Sequence, residues 1–155
     1  MSSKRLSPES ARTRALRLLA RREHGARELQ YKLNQRGIDD GQAAEVVQEL
    51  ARAGWQSDAR YVRSLVRSRI AQGFGPLRIE AELEQAGVAD ALVREALAAA
   101  EVDWQAQVVE VHARKFGRTP ATAAEWQKQY RHLAGRGFDA EHIHKALRSE
   151  APPEE

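Results

Sequence analysis

Leu33-Asn34-Gln35-Arg36-Gly37-Ile38 returns as Leu83-Glu84-Gln85-Ala86-Gly87-Val88 and again as Leu133-Ala134-Gly135-Arg136-Gly137-Phe138, fifty residues on each time. The same offset aligns Ala43 with Val93 and Ile143, Val46 with Ala96 and Ala146, and Val47 with Leu97 and Leu147. A fixed period that holds apolar positions on both sides of a glycine marks a repeat architecture. The leucine-to-glycine spacing has a mechanical reading. If Gly37 is the left-handed residue just past a helix, Leu33 falls at C3 and Ile38 at C″, the two positions that touch in a Schellman cap. Leu83 with Val88 and Leu133 with Phe138 repeat the arrangement.

Working outward, aspartates follow each stop: Asp39 and Asp40, Asp90, and Asp139. They suit the start of a following helix, because a side-chain oxygen there accepts from the free N–H groups of the first turn. A further helix precedes each pair. The first begins at Ser7-Pro8-Glu9, with proline at its first position, and ends near Arg22-Glu23-His24-Gly25. The second is capped by Ser57 or Asp58 and stops at Gly73-Phe74-Gly75-Pro76. The third runs from Asp103 to Phe116 and stops at Gly117. Apolar residues recur three and four apart, as in Leu16, Leu19 and Ala20 or Tyr61, Leu65, Val66 and Ile70, and no period-2 alternation marks a strand. The expected fold is all-α: three tandem three-helix repeats, 7–54, 57–100 and 102–149, with flexible tails at 1–6 and 150–155. A unit of about 45 residues buries too little to be stable alone, so neighbours are expected to stack and share their interiors in an elongated, curved solenoid.

The composition agrees. Among 155 residues, alanine occurs 27 times, and AVILMFWYC residues make up 42% of the chain against 30% charged, a folding composition. Cysteine is absent, which removes disulfides, thiolate zinc sites and cysteine nucleophiles and suits the cytoplasm. No apolar run approaches the ~18 residues of a membrane span, and the opening residues lack the apolar core of a secretory signal.

The net charge of +3 hides an asymmetry. Residues 1–80 carry 16 basic against 9 acidic side chains, and residues 81–155 carry 9 against 13. Arg60, Arg63 and Arg67 lie at i, i+3 and i+7 and so share one helix face. Arg12, Arg14, Arg17, Arg21, Arg22 and Arg27 with Lys32 extend the basic character into the first unit. Such a stripe suits phosphates or a partner's carboxylates, and it equally suits a solvated face that keeps the chain soluble.

Catalysis finds little support. His142 and His144 stand two apart, on different sides of a helix, and His24, His112 and His132 have no metal-binding context. No P-loop, dinucleotide fingerprint or nucleophile elbow is present. Gly73-Phe74-Gly75-Pro76 joins two helices and reads as a stop rather than a phosphate cradle. Trp55, Trp104 and Trp126 sit near helix ends and read as joints between units. No metal, cofactor or catalytic residue is expected.

With the repeats in place, the chain resembles the RecX regulators of the bacterial RecA recombinase over about residues 11–149. The likeness rests on Arg22-Glu23-His24, Arg27-Glu28-Leu29, Lys32-Leu33 and Gly37; on Gly54-Trp55-Gln56-Ser57-Asp58-Ala59-Arg60-Tyr61; on Arg69, Gly73-Phe74-Gly75, Ile79, Glu82-Leu83 and Gly87-Val88; and on Arg114-Lys115-Phe116-Gly117 and Arg136-Gly137-Phe138. Phe74 stands where the family usually has tyrosine, Gly25 where a small polar residue is commoner, and Gln56 where an apolar one is frequent. The resemblance implies a negative regulator that lodges in the helical groove of the RecA–DNA filament, inhibits ATP hydrolysis and strand exchange, and favours disassembly. A monomer is expected, since one repeat array can cap its own ends, and weak DNA contact is expected beside the RecA filament. Taken with the charge pattern, the candidate contact residues are Arg22, Arg27, Lys32, Arg60, Arg63, Arg67, Arg69, Arg78 and Lys115. The alternative is a stand-alone DNA-binding module that uses the basic first half.

Overall fold

In the computed structural model, which describes residues 8–154, nine α-helices and no strand are found among the described residues. They are α1 (Pro8–Arg21), α2 (Ala26–Gln35), α3 (Asp40–Arg52), α4 (Asp58–Ala71), α5 (Pro76–Gln85), α6 (Asp90–Ala99), α7 (Trp104–Lys115), α8 (Ala123–Gly135) and α9 (Ala140–Leu147). The expected tail at 1–6 and the Ser7 cap lie outside the described residues. At the other end, the Ser149 hydroxyl donates to the Ala151 carbonyl and accepts from the Ala151 N–H at 3.3 Å.

All three leucine–glycine stops are Schellman caps. Gly37, Gly87 and Gly137 have φ of 88°, 76° and 100°, a left-handed backbone that favours glycine. Each glycine N–H donates to the residue three back at 3.0 Å, and the next N–H reaches the leucine carbonyl at 3.2, 3.4 and 3.3 Å. The paired side chains, Leu33 with Ile38, Leu83 with Val88 and Leu133 with Phe138, are all buried. The stop therefore serves two ends: it satisfies carbonyls that the helix leaves free, and it turns an apolar side chain into the core, where each is worth about 1.5–3 kcal/mol.

The starts are less uniform. Asp39 accepts from the Gln42 N–H at 2.8 Å, Asp139 from His142 at 2.8 Å and Ser57 from Arg60 at 3.2 Å. In the second unit, however, Ala89 occupies the cap position of α6, and Asp90 is already inside the helix. Asp90 can then act only through its charge on the helix dipole, a smaller effect than a cap hydrogen bond.

Helix packing runs within triplets. α1 packs on α2 and α3, α4 on α5 and α6, and α7 on α8 and α9. Each triplet encloses its own cluster, centred on Leu29, Leu33, Val47 and Leu50, on Val62, Val66, Ile79 and Leu83, and on Val108, Leu133, Phe138 and Ile143. The expected sharing of interiors is nearly absent: Trp104 alone packs against two clusters, the second and the third. Of the other two tryptophans expected at joints, Trp126 belongs to the third core, stacked on Tyr130 at 5.0 Å, and Trp55 is 57% exposed. The accessible surface of 9892 Å² exceeds the ~7,900 Å² of a compact protein of this mass. Dividing one chain into three small cores leaves more of it exposed than a single core would.

Polar joints connect these cores. Between the first two triplets, Asp58 reaches back to accept from the Ala26 N–H at 2.8 Å, the first residue of α2. That helix has Gly25 at its cap position and no side-chain cap of its own. A methyl group on Gly25 would stand 3.2 Å from the Tyr61 ring, so the position has little room for a capping side chain. Gln56, buried in the same joint, donates to the His24 carbonyl at 3.2 Å and to Asp58 at 3.0 Å. Gly25 and Gln56 thus belong to one arrangement with Asp58. Asp58→Ala is expected to cost about 2–3 kcal/mol, the sum of a lost cap and a buried amide left with one partner fewer. Asp58→Asn, which keeps an acceptor oxygen, is expected to restore most of it. Urea unfolding of the two variants checks the pair.

Between the second and third triplets the chain uses backbone. The Gly75 N–H donates to the Arg136 carbonyl at 2.7 Å and the Leu77 N–H to the Gly137 carbonyl at 3.0 Å. Arg136 returns a bond to the Gln72 carbonyl at 2.6 Å, and Gln107 donates to the Ile70 carbonyl at 2.9 Å. The glycine stop of α8 is therefore also the socket for the α4–α5 loop. The stop of α5 has the corresponding place at the first joint, where Arg27 lies against Gly87.

Candidate partner-binding surface

Nine cations are expected at a partner surface, and the fold gives them unequal freedom. Arg22 makes a two-pronged pair with Glu28 at 2.7 and 3.1 Å and also donates to the Glu23 carbonyl at 2.9 Å. Arg69 does the same with Glu82 at 2.6 and 2.8 Å. Arg60 donates to Glu23 at 3.0 Å and to the Gly54 carbonyl at 2.8 Å, tying α4 to the preceding triplet. Arg78 donates to the Gly135 carbonyl at 3.2 Å and lies over the Phe74 ring at 4.2 Å.

Phe74 has a second guanidinium at 4.2 Å on it, that of Arg136. The ring is thus in contact with two cations, each attracted to its face, and this needs no hydroxyl. A tyrosine at Phe74 would add a polar group where the ring already has its partners. Arg136 was missed among the candidate residues. Its sequence signal is its place inside the repeated stop, as Arg136-Gly137-Phe138, which says nothing of a ring partner.

Lys32 is engaged with a histidine. Its Nζ stands 3.0 Å from His24 Nε2, and His24 Nδ1 stands 3.0 Å from the Arg22 carbonyl. The carbonyl can only accept, so Nδ1 bears the hydrogen and Nε2 accepts from the lysine. His24 is buried and neutral. Burial lowers its pKa first of all, the bond to the Arg22 carbonyl opposes this, Arg22 and Lys32 lower it by charge, and Glu28 raises it. For Glu28, burial acts upward, but the hydrogen bond and charge of Arg22, with His24 and Lys32, bring its carboxyl below the usual range. The Arg69 guanidinium is raised by its bond to Glu82.

A histidine held below its ordinary pKa binds fewer protons folded than unfolded. Its contribution is fully present above about pH 6.5, the unfolded value, and is lost as the pH falls from there toward the folded value. His132, lowered by burial and then by Lys115 and Arg136, acts in the same direction. The denaturant midpoint is therefore expected to fall between pH 7.5 and 5.5, above the range in which most carboxylates titrate. His24→Gln should flatten that slope, leaving the share of His132. An unchanged slope would show that His24 does not carry it.

Four candidates remain without a hydrogen bond or ion pair among the described residues: Arg27, Arg63, Arg67 and Lys115, all exposed. Arg27 is set against Gly87 at the first joint. Lys115 ends α7. Arg63 and Arg67 are one turn apart on α4, with Arg60 and Arg69 on either side held by Glu23 and Glu82. Arg63 borders a recess of about 130 Å³ with Leu92, Glu95 and Ala99 of α6. The arrangement presents two free guanidiniums on a helix that is fixed at both ends, suited to carboxylates or phosphates. Among the described residues no group of three His, Cys, Asp or Glu could hold a metal ion, and no helix is long and apolar enough to cross a membrane.

Three family models match the chain in succession. They are described as the first three-helix domain of RecX over residues 11–50, the second over 57–97 and the third over 101–147. A protein named Regulatory protein RecX from Acidithiobacillus ferrooxidans (strain ATCC 53993 / BNL-5-31) is 45% identical over 148 residues, covering 95% of this chain and 93% of the relative. One of the same name from Halorhodospira halophila (strain DSM 244 / SL1) is 46% identical over 147 residues, covering 94% and 91%. The crystal structure of RecX from Lactobacillus salivarius has the same fold, with a TM-score of 0.72 at 20% identity over 91% of this chain and 94% of that one.

Proposed function

This chain belongs to the RecX family of regulatory proteins, and on that premise we propose that it is a negative regulator of the RecA recombinase. It lodges in the helical groove of the RecA–DNA filament, suppresses ATP hydrolysis and strand exchange, and favours disassembly. The observation that supports this reading best is the pair Arg63 and Arg67, free on a helix whose neighbouring arginines are neutralised by Glu23 and Glu82. A groove-filling regulator needs length, fixed joints and a few free charges, and it needs no reactive group. The elongated array supplies the length, and the hydrogen-bonded glycine joints keep the units in register.

Adding the protein to preformed RecA–DNA filaments and following ATP turnover tests the reading. Turnover is expected to fall to a low plateau as the regulator is titrated in. Undiminished turnover at saturating regulator would rule the reading out.

A further inference from the structure

A second basic feature lies in the first triplet, away from α4. α1 and α2 bound an open groove of about 780 Å³. Arg14, Arg17 and Arg21 line one wall, and Lys32 and Arg36 the other. Among the described lining residues none is acidic. The four arginines have no hydrogen bond or ion pair, and Lys32 has only the neutral His24 as partner. The Arg14 Nε is buried without an acceptor. Arg22, Arg60 and Arg69 each sit on a carboxylate; in this groove four arginines are left together. Such crowding of like charge is destabilising unless an anion is received.

At the rim stands Tyr31, 60% exposed, one of the largest apolar surfaces that the chain shows to solvent. Gln35, which also lines the groove, donates to its hydroxyl at 2.7 Å, so the ring is held by the turn below it. A cationic groove with a fixed aromatic beside it is the pattern that binds single-stranded nucleic acid. The cations follow the backbone, and the ring receives the face of an unstacked base. A duplex offers no such face. Arg14 to Arg21 covers about 10 Å along the helix, or about three nucleotides at the ~3.4 Å spacing of a stacked strand.

We propose that the α1–α2 groove is a single-strand nucleic-acid site, with Arg14, Arg17, Arg21, Lys32 and Arg36 on the phosphates and Tyr31 stacked on a base. The site does not depend on the recombinase reading, and it is tested without any recombinase. The full chain is titrated into a fluorescent twelve-residue oligothymidylate, and into a mixed-sequence duplex, while anisotropy is followed at several salt concentrations.

The single strand is expected to bind more tightly than the duplex. Its log K against log salt should have a slope of about −2 to −3.5, as for three to five phosphates. Arg17→Ala/Arg21→Ala should weaken it at least fivefold. Tyr31→Leu should do the same for oligothymidylate while leaving binding of inorganic polyphosphate, which has no bases, unchanged. Arg94→Ala/Arg131→Ala, which removes exposed cations of α6 and α8 outside the groove, should change nothing in this assay. The substituted side chains are exposed, and circular dichroism confirms that the variants are folded. No binding of the strand, full affinity in the Arg17/Arg21 variant, or a duplex bound as tightly with Tyr31 dispensable would each overturn the proposal.

Discussion

Gly75→Ala is expected to lower stability by about 2–4 kcal/mol and to loosen the joint between the second and third triplets. The backbone at Gly75 is ordinary, with φ −91° and ψ 171°, so any residue can adopt it. The whole effect comes from space. A Cβ there would lie 2.4 Å from the Gly137 oxygen, 2.5 Å from its carbonyl carbon and 2.7 Å from the Phe138 nitrogen. All three are backbone atoms of a helix stop, which cannot swing aside as a side-chain tip can, so overpacking costs of about 1–3 kcal/mol apply. The 2.7 Å bond from the Gly75 N–H to Arg136 would lengthen at the same time, adding about 1 kcal/mol.

Two alanine controls separate this cause from others. Gly54 has φ +84° with open space around it, so Gly54→Ala should show backbone strain alone, about 1–2 kcal/mol. Gly135 lies within α8 and also meets nothing, so Gly135→Ala should be neutral or slightly stabilising. Urea unfolding measures all three variants, and small-angle scattering of Gly75→Ala should give a larger radius of gyration. If Gly75→Ala were as stable as Gly135→Ala, the close joint would be wrong.

Arg63→Glu/Arg67→Glu is expected to raise the concentration needed to inhibit RecA ATPase more than tenfold, with the fold intact. Neither side chain has a partner to lose, so stability should change by no more than about 0.5 kcal/mol. Reversal also places carboxylates where the partner would expect cations, and like charges across an interface cost more than a missing contact. Arg60→Ala makes the contrast. It breaks the link to Glu23 and the Gly54 carbonyl, so its effect should fall on stability first. Titration of ATP turnover beside thermal unfolding distinguishes the two. Unaltered potency of the double reversal would remove α4 from the partner surface while leaving the family's regulatory role to other residues.

The freedom of these arginines was not legible in the sequence. Arg60, Arg63 and Arg67 look alike at i, i+3 and i+7. Only the placement of Glu23, some 37 residues earlier, distinguishes the first of them. Arg22, Lys32 and Arg69 were equally plausible as contacts until Glu28, His24 and Glu82 were seen beside them. Charge pairing depends on which side chains the fold brings within about 3–4 Å, and helical spacing reports only neighbours on the same helix.

The chain's local order was written in the sequence itself. Leu33-to-Gly37 and its two echoes specify where helices stop, because a left-handed residue favours glycine and the flanking leucine and Ile38, Val88 or Phe138 must meet. These are effects within six residues, and they need no partner to be read. How the triplets join was decided by tertiary structure alone. The expectation of shared interiors followed from the small size of each unit, yet apart from Trp104 the joints are built of backbone carbonyls, Asp58, Gln56 and two close glycines. An apolar pattern along the chain records burial within a unit, whereas a backbone group that bonds across a joint leaves no mark in side-chain identity. Gly75 and Gly137 bear the mark of that joint only as an absence of side chain, which a turn alone would also explain.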